Sequence, residues 1–267
     1  MNWKKYCKTI IITFFIVVIF SLSYYFFIKK QDTVNNIRVA VINTYQASFS
    51  RISTQEIEQS LENKKDFLVR IKKSQESPDI IIWPEDSRIL GYLSATNQQL
   101  FIKEIFGDDE VLIVDSARIS ESVGAPANLK IFYLNTKTGK LIKSGKLFLI
   151  PNGEYLPYIT NFLFSLLGKN DWIEGFKHGR SSERSKEVNL VDFKNFKVGA
   201  SVCSEVMSVS INRDIVNRGS GVLINLASSS LFNGSKAMYD QTINMAKVRA
   251  VENNRYYIQS SNFVPSF

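Results

Sequence analysis

Phe196-Lys197-Val198-Gly199-Ala200-Ser201-Val202-Cys203-Ser204-Glu205-Val206-Met207 reads as a buried strand that ends abruptly on a cysteine. A carboxylate follows two residues later, and then a helix start. In α/β sheets, chemistry collects at the C-terminal ends of strands. The other cysteine, Cys7, lies beyond a long apolar segment, so Cys203 has no evident disulfide partner within the chain. Taken alone, a free cysteine is a small apolar residue that fills a core. The surrounding sequence decides between a core thiol and a reactive one.

Working outward, strand-like and helical runs alternate. Ile37–Ile42 is a β-branched run that predicts a first strand. Ser53-Thr54-Gln55-Glu56 resembles a helix start, and Ile57, Leu61, Phe67, Leu68 and Ile71 recur at helical spacing. Asp79–Trp83 is a second strand, too apolar for an edge, that stops at Pro84-Glu85. A helix is expected over Gln98–Ile105 and a strand over Glu110–Asp115. Leu129–Leu134 and Lys140–Ile150 flank the polar turn Asn135-Thr136-Lys137-Thr138-Gly139, a hairpin signal. One strand over Phe193–Cys203, a helix over Ile211–Asn217, a strand over Gly221–Leu226, a helix over Tyr239–Asn253 and a strand over Tyr256–Gln259 complete the body. The pattern predicts an α/β layered fold with a mixed sheet.

Thr9–Ile28 carries no charge over twenty residues. A helix of that length rises about 30 Å, enough to cross a bilayer core. Lysines flank it, and no small-x-small cleavage site follows. The expectation is one N-terminal transmembrane helix within an anchor at 1–30, a linker at 31–36 and a catalytic domain at 37–267. Three lysines before the span favour a single-pass protein in the cell membrane with its body on the extracytoplasmic side. The net charge of +8 suits an anionic membrane surface. No nucleic-acid signature accompanies it, so nucleic acid is not expected as a partner. His178 is the single histidine, which excludes a histidine-rich metal site.

Three polar residues adjoin apolar strands: Glu85 after IIIWP, Lys146 before LFLIP, and Cys203 after VGASV. A carboxylate base, a fixed cation and a thiol are the parts that nucleophilic acyl transfer requires. The carboxylate can take the thiol proton, and the cation can stabilise an oxyanion. Side chains alone supply this chemistry, so no metal and no cofactor is expected.

Four segments in order resemble the nitrilase (carbon–nitrogen hydrolase) superfamily, and most closely its apolipoprotein N-acyltransferase branch. They are Ile82-Trp83-Pro84-Glu85, Lys146 through Pro157 (KLFLIPNGEYLP), Val202-Cys203-Ser204-Glu205, and Arg249-Ala250-Val251-Glu252-Asn253-Asn254-Arg255. The resemblance implies a nitrilase-like layered α-β-β-α sandwich with mixed sheets. It implies Glu85 as general base, Lys146 as oxyanion stabiliser and Cys203 as nucleophile, with Glu154 and Glu205 as supporting carboxylates. Read from the residues alone, Glu154 fixes the Gly153 turn and Glu205 caps the helix beyond it. Arg249, Glu252 and Arg255 are expected to do structural work.

The implied reaction passes a fatty acyl group from a phospholipid donor, through a thioester, to the N-terminal amine of a lipoprotein acceptor. Two alternatives stand beside it: hydrolysis of a small amide, and a fold remnant that binds without turnover. The chain departs from the acyltransferases in having one apolar segment before the domain, in Ala227-Ser228-Ser229-Ser230-Leu231-Phe232, and in Ser204 where an aromatic is usual. With the end at Phe267, just after Ser261-Asn262-Phe263, the expectation is a C-terminally incomplete domain, either a fragment or a trimmed form. Tyr158–Leu167 is apolar but too short to span; the expectation is a buried helix, the alternative a surface loop dipping into lipid.

Overall fold

The computed structural model describes residues 3–29, 36–45, 54–74, 77–91, 93, 95–119, 128–179, 182–186 and 188–267. Residues 31–35 of the expected linker and Ser53 of the expected helix start lie outside them. The chain divides into two units, Met1–Ile37 and Arg38–Phe267.

The first unit carries α1 (Trp3–Lys29). Ile10, Phe14, Phe15 and Phe20 are exposed on it. Among the described residues, no helix is long and apolar enough to cross a membrane. The expected helix is present, but the expected transmembrane span is not borne out.

In the second unit, β-branched runs build two mixed sheets. The first has the order β1 (Val39–Val41), β2 (Ile80–Ile82), β3 (Leu112–Ile119), β4 (Asn128–Asn135) and β5 (Leu141–Gly145). β1, β2 and β3 run parallel, in the register Val39↔Ile80 and Ile80↔Leu112; β4 and β5 return antiparallel. The second sheet orders β6 (Val191–Phe193), β7 (Phe196–Val202), β8 (Ser220–Ser228) and β9 (Tyr256–Asn262). β7, β8 and β9 are parallel.

Ile80, Ile81 and Ile82 are all buried, as a strand covered on both faces requires. Each such side chain contributes about 1.5–3 kcal/mol by leaving water. α2 (Thr54–Lys72) and α3 (Ala95–Phe106) pack Leu68, Phe101, Ile105 and Phe106 into this core. α6 (Val209–Asn217) brings Ile211 and Ile215 to the second sheet, beside α7 (Lys236–Asn253). The sheets meet where β4 lies against β7, and the Ala200 N–H donates to the Tyr133 hydroxyl at 2.8 Å. Thr44 and Asn262 bridge the sheets at their C-terminal ends.

Three elements differ from expectation. The strand expected over Phe193–Cys203 is a hairpin, turning at Lys194-Asn195, where Lys194 takes φ +51° and Phe193 pairs with Phe196. The strand expected to end at Asp115 runs on to Ile119, because Asp115 and Ser116 are buried anchors within it rather than a solvated end. The hairpin strand expected to reach Ile150 stops at Gly145. Beyond it, the Leu147 and Phe148 N–H groups donate to the Glu205 carboxylate instead of to a neighbouring strand. At the other end of the body, residues after β9 fold back on it: the Gln259 N–H donates to the Phe267 carbonyl at 2.7 Å, and the reverse bond is 3.1 Å.

Candidate active site

Cys203 follows β7 directly and opens a short 3-10 turn, Cys203–Met207. Its φ is +55°, a left-handed value that costs a non-glycine residue about 1–2 kcal/mol. The geometry turns the chain sharply off the strand end. Two carbonyl and carboxylate contacts hold the turn. Asn225 Nδ2 donates to the Cys203 carbonyl at 3.3 Å, and the Val202 N–H donates to Glu205 Oε2 at 2.8 Å. Glu205 Oε1 also accepts from the Leu147 N–H at 2.6 Å and the Phe148 N–H at 3.1 Å. Glu205 therefore joins the cysteine turn to the lysine segment. Burial pushes its carboxyl above the ordinary value, and the three N–H groups pull it back.

Glu85 follows β2 in a tightly folded loop. Asp86 and Arg88 adopt φ of +60° and +62°. Asp115 secures this loop from β3, accepting from Ser87 Oγ and, at 2.7 Å, from the Leu90 N–H. Lys64 of α2 donates to the Ser87 carbonyl. Asp86 in turn receives the Arg118 N–H at 3.1 Å. The Glu85 side chain is 5% exposed and accepts from Arg118 Nη2 at 3.4 Å through Oε1. Glu85 Oε2 is buried and has no hydrogen-bond partner.

Lys146 sits just past β5 and is 2% exposed. Its Nζ lies 2.8 Å from both Glu154 carboxylate oxygens. Glu154 Oε2 also accepts from the Ile150 N–H at 2.9 Å, which closes the Pro151–Tyr155 turn. Glu154 thus contacts both the Lys146 ammonium and the backbone of its own turn.

The electrostatics couple Glu85, Lys146 and Cys203. Burial pushes the Cys203 thiol up to about 12; the Glu85 charge adds to this, and Lys146 opposes it. Burial also raises the Glu85 carboxyl, against the pull of Lys146 and Arg118. For Lys146, burial works to lower the ammonium, but Cys203, Glu85 and Glu154 outweigh it and hold the pKa above the ordinary lysine value.

A cavity of about 640 Å³ opens over this group, with Glu85, Arg118, Glu154 and Cys203 on its polar side. Phe164, Trp172, Phe176, Leu231 and Phe232 form its apolar side. Phe164 belongs to α4 (Tyr158–Leu166), and Trp172 and Phe176 to α5 (Asn170–Gly179). The expected burial of α4 is overturned: none of its residues is buried. It is a helix, yet Tyr158, Ile159, Phe162 and Leu166 face outward. The Phe164 and Trp172 rings meet edge to face at 5.7 Å, which fastens α4 to α5.

Sequence reading missed Arg118, because the strand carrying it was expected to end three residues earlier. Read as the end of an eight-residue strand, it meets the same criterion that singled out Glu85 and Cys203. Ser228 through Phe232, the segment that departs from the acyltransferases, lines the cavity in part. Arg249 pairs with Glu252 at 2.9 Å and Arg255 Nε donates to the Ser220 carbonyl at 3.1 Å, structural contacts in both cases.

The chain is 34% identical over 113 residues to apolipoprotein N-acyltransferase 1 of Treponema denticola, a match covering 40% of this chain and 19% of that protein. It is 26% identical over 268 residues to apolipoprotein N-acyltransferase of Wigglesworthia glossinidia brevipalpis, covering 97% of this chain and 50% of that protein. The chain thus spans half or less of the length of these relatives. No protein-family model matches it. Among solved structures, an amidase of Nesterenkonia sp. AN1, shown with acrylamide added at its active-site cysteine, superposes with a TM-score of 0.57 at 14% identity. The superposition covers 85% of this chain and 79% of that one. A second structure of that amidase, described as from the nitrilase superfamily, gives 0.57 at 13% identity, over 85% of this chain and 77% of that one. The fold is nitrilase-like, with mixed α/β sheets as expected, and the sequence likeness is to the apolipoprotein N-acyltransferases.

Proposed function

We propose that the chain is an enzyme of the carbon–nitrogen hydrolase class that works as a thiol acyltransferase at a membrane surface. The supporting observation is a strained, strand-end Cys203 coupled to Glu85 and Lys146 beneath a cavity with an apolar wall. Glu85 takes the Cys203 proton as the sulfur attacks the ester carbonyl of a phospholipid. Lys146 has three N–H donors, two of them directed at Glu154, and stabilises the oxyanion. The intermediate collapses by breaking the ester C–O bond. Glu85 returns its proton to the departing lysophospholipid oxygen and leaves a thioester on Cys203. The N-terminal amine of a lipoprotein then attacks the thioester, Glu85 removes the amine proton, and the thiol is restored as the amide forms.

Phe164, Trp172 and Phe176 suit an acyl chain. The exposed apolar side chains of α1 and α4 suit attachment to lipid. The domain at 37–267 carries the chemistry in this reading, on the extracytoplasmic side. Intact mass spectrometry after incubation with phospholipid vesicles tests it. A fatty-acyl adduct is expected on Cys203 and is absent in Cys203→Ala. Absence of any adduct, with ammonia released from small amides, replaces acyl transfer by amidase chemistry, the activity named for the solved neighbours.

A further inference from the structure

The two oxygens of Glu85 are not equivalent. Oε1 accepts from Arg118 Nη2 at 3.4 Å, whereas Oε2 is buried without a hydrogen-bond partner. The same guanidinium nitrogen lies 3.8 Å from Glu154 Oε1, so one cation faces both carboxylates. The backbone of Arg118 is tied to the Glu85 loop as well, through its N–H to Asp86 Oδ1 at 3.1 Å. Its side chain is 15% exposed and lines the cavity. With Lys146 held on Glu154 at 2.8 Å, the site contains two cations and two carboxylates. A carboxylate held through one oxygen by a cation has fewer orientations open to it.

We infer that Arg118 is a positioning residue, which orients the Glu85 carboxylate through Oε1 while facing Glu154 with the same nitrogen, and so sets the base that serves Cys203. The inference rests on Glu85 and Cys203 acting as base and nucleophile, but it does not depend on the identity of the acyl donor. Arg118 also favours the ionised carboxylate, alongside Lys146, while Asp86 and burial oppose ionisation. The groups that bear on Glu85 are thus Lys146, Arg118, Cys203 and Asp86. Removing Arg118 leaves a base that ionises at higher pH and swings more freely. Replacing it with lysine keeps the charge and loses the planar fork.

The test is the rate of Cys203 alkylation by iodoacetamide against pH, followed by intact mass, in the full chain. In Arg118→Met the acid limb is expected to move up by about one pH unit, a loss of about tenfold in rate on that limb. Arg118→Lys is expected to restore most of the pH midpoint and only part of the rate. In the Glu85→Gln background, Arg118→Met is expected to change nothing further. An unchanged midpoint in both Arg118 variants overturns the inference, and so does a full Arg118 effect without Glu85. Should Arg118→Met fail to fold by circular dichroism, the rate decides: Arg118→Lys is expected to alkylate more slowly than the parent but, in the Glu85→Gln background, no more slowly than Glu85→Gln alone, and an unchanged rate in Arg118→Lys overturns the inference. The probe needs no phospholipid. A shifted alkylation profile with no acyl adduct from vesicles keeps the role of Arg118 and removes the proposed acyl donor.

Discussion

The Lys146 ammonium stands 2.8 Å from both oxygens of Glu154, with the lysine 2% and the glutamate 6% exposed. Such a pair is weak evidence for stability as a whole, because both charges leave water. Removing one partner is another matter, since it strands the other charge in the interior. Glu154→Gln is expected to cost about 3 kcal/mol by this argument. Urea denaturation measures it, and Lys146→Met added to Glu154→Gln should recover part of the loss. A single-variant cost under about 1 kcal/mol would show that Lys146 finds another partner.

Glu205 accepts three backbone N–H groups from two segments, Leu147 and Phe148 on one side and Val202 on the other. Glu205→Ala leaves three donors without their acceptor: the buried Val202 N–H, at a cost of about 1–3 kcal/mol, and the part-buried Leu147 and Phe148 N–H groups, which water can partly satisfy. The variant is expected to fold poorly or to unfold far below the parent. Glu205→Gln keeps one acceptor oxygen and should lie between them. Thermal melts that rank Gln no better than Ala would contradict the bridging role.

Cys203 pays for its left-handed φ of +55° with backbone strain. Glycine adopts that conformation freely. Cys203→Gly is therefore expected to be more stable than Cys203→Ala by about 1 kcal/mol, the steric penalty of the left-handed region. Paired denaturation curves decide this. Alanine equal to or better than glycine would mean that the turn relaxes once the thiol is gone.

The thiol also sets a pH dependence. Folded Cys203 holds its proton up to about 12, raised from 9.0 by burial and by Glu85. As pH rises through 9.0, the unfolded chain releases the proton first, so this part of the stability is complete below that pH and is lost toward about 12. Burial raises Tyr133 and Tyr257 with the same sign. Denaturation midpoints between about pH 8 and about pH 11 should fall in the parent and fall less in Cys203→Ala. Identical slopes would place the alkaline loss on the tyrosines.

On α4, Phe162 and Leu166 point outward. Changing both to Asp is expected to weaken binding to anionic phospholipid vesicles severalfold with little change in the melting temperature. Unchanged vesicle sedimentation would assign lipid contact elsewhere. A large drop in melting temperature would show that α4 packs more tightly than its exposure indicates.

Sequence alone determined the alternation of strands and helices, the two-sided burial of Ile80–Ile82, and the placement of Glu85, Lys146 and Cys203 beside strand ends. These are local properties. β-branched runs and period carry them, and a polar residue at the end of an apolar run is visible by itself. Tertiary structure decided what depends on partners distant in the chain. Glu205 ends the β5 ladder by capturing N–H groups 58 and 57 residues away. Asp115 holds a loop 28 residues earlier, so a residue that resembles a solvated strand end is a buried anchor. Arg118 becomes part of the site only because β3 runs past Asp115 and lies beside the Glu85 loop. An apolar run such as Tyr158–Leu166 reads the same whether it fills a core or faces outward, because hydrophobicity records the preference of a surface and not what covers it. Propensity and periodicity act within a turn or a strand, whereas a buried charge is defined by the group that the fold places opposite it.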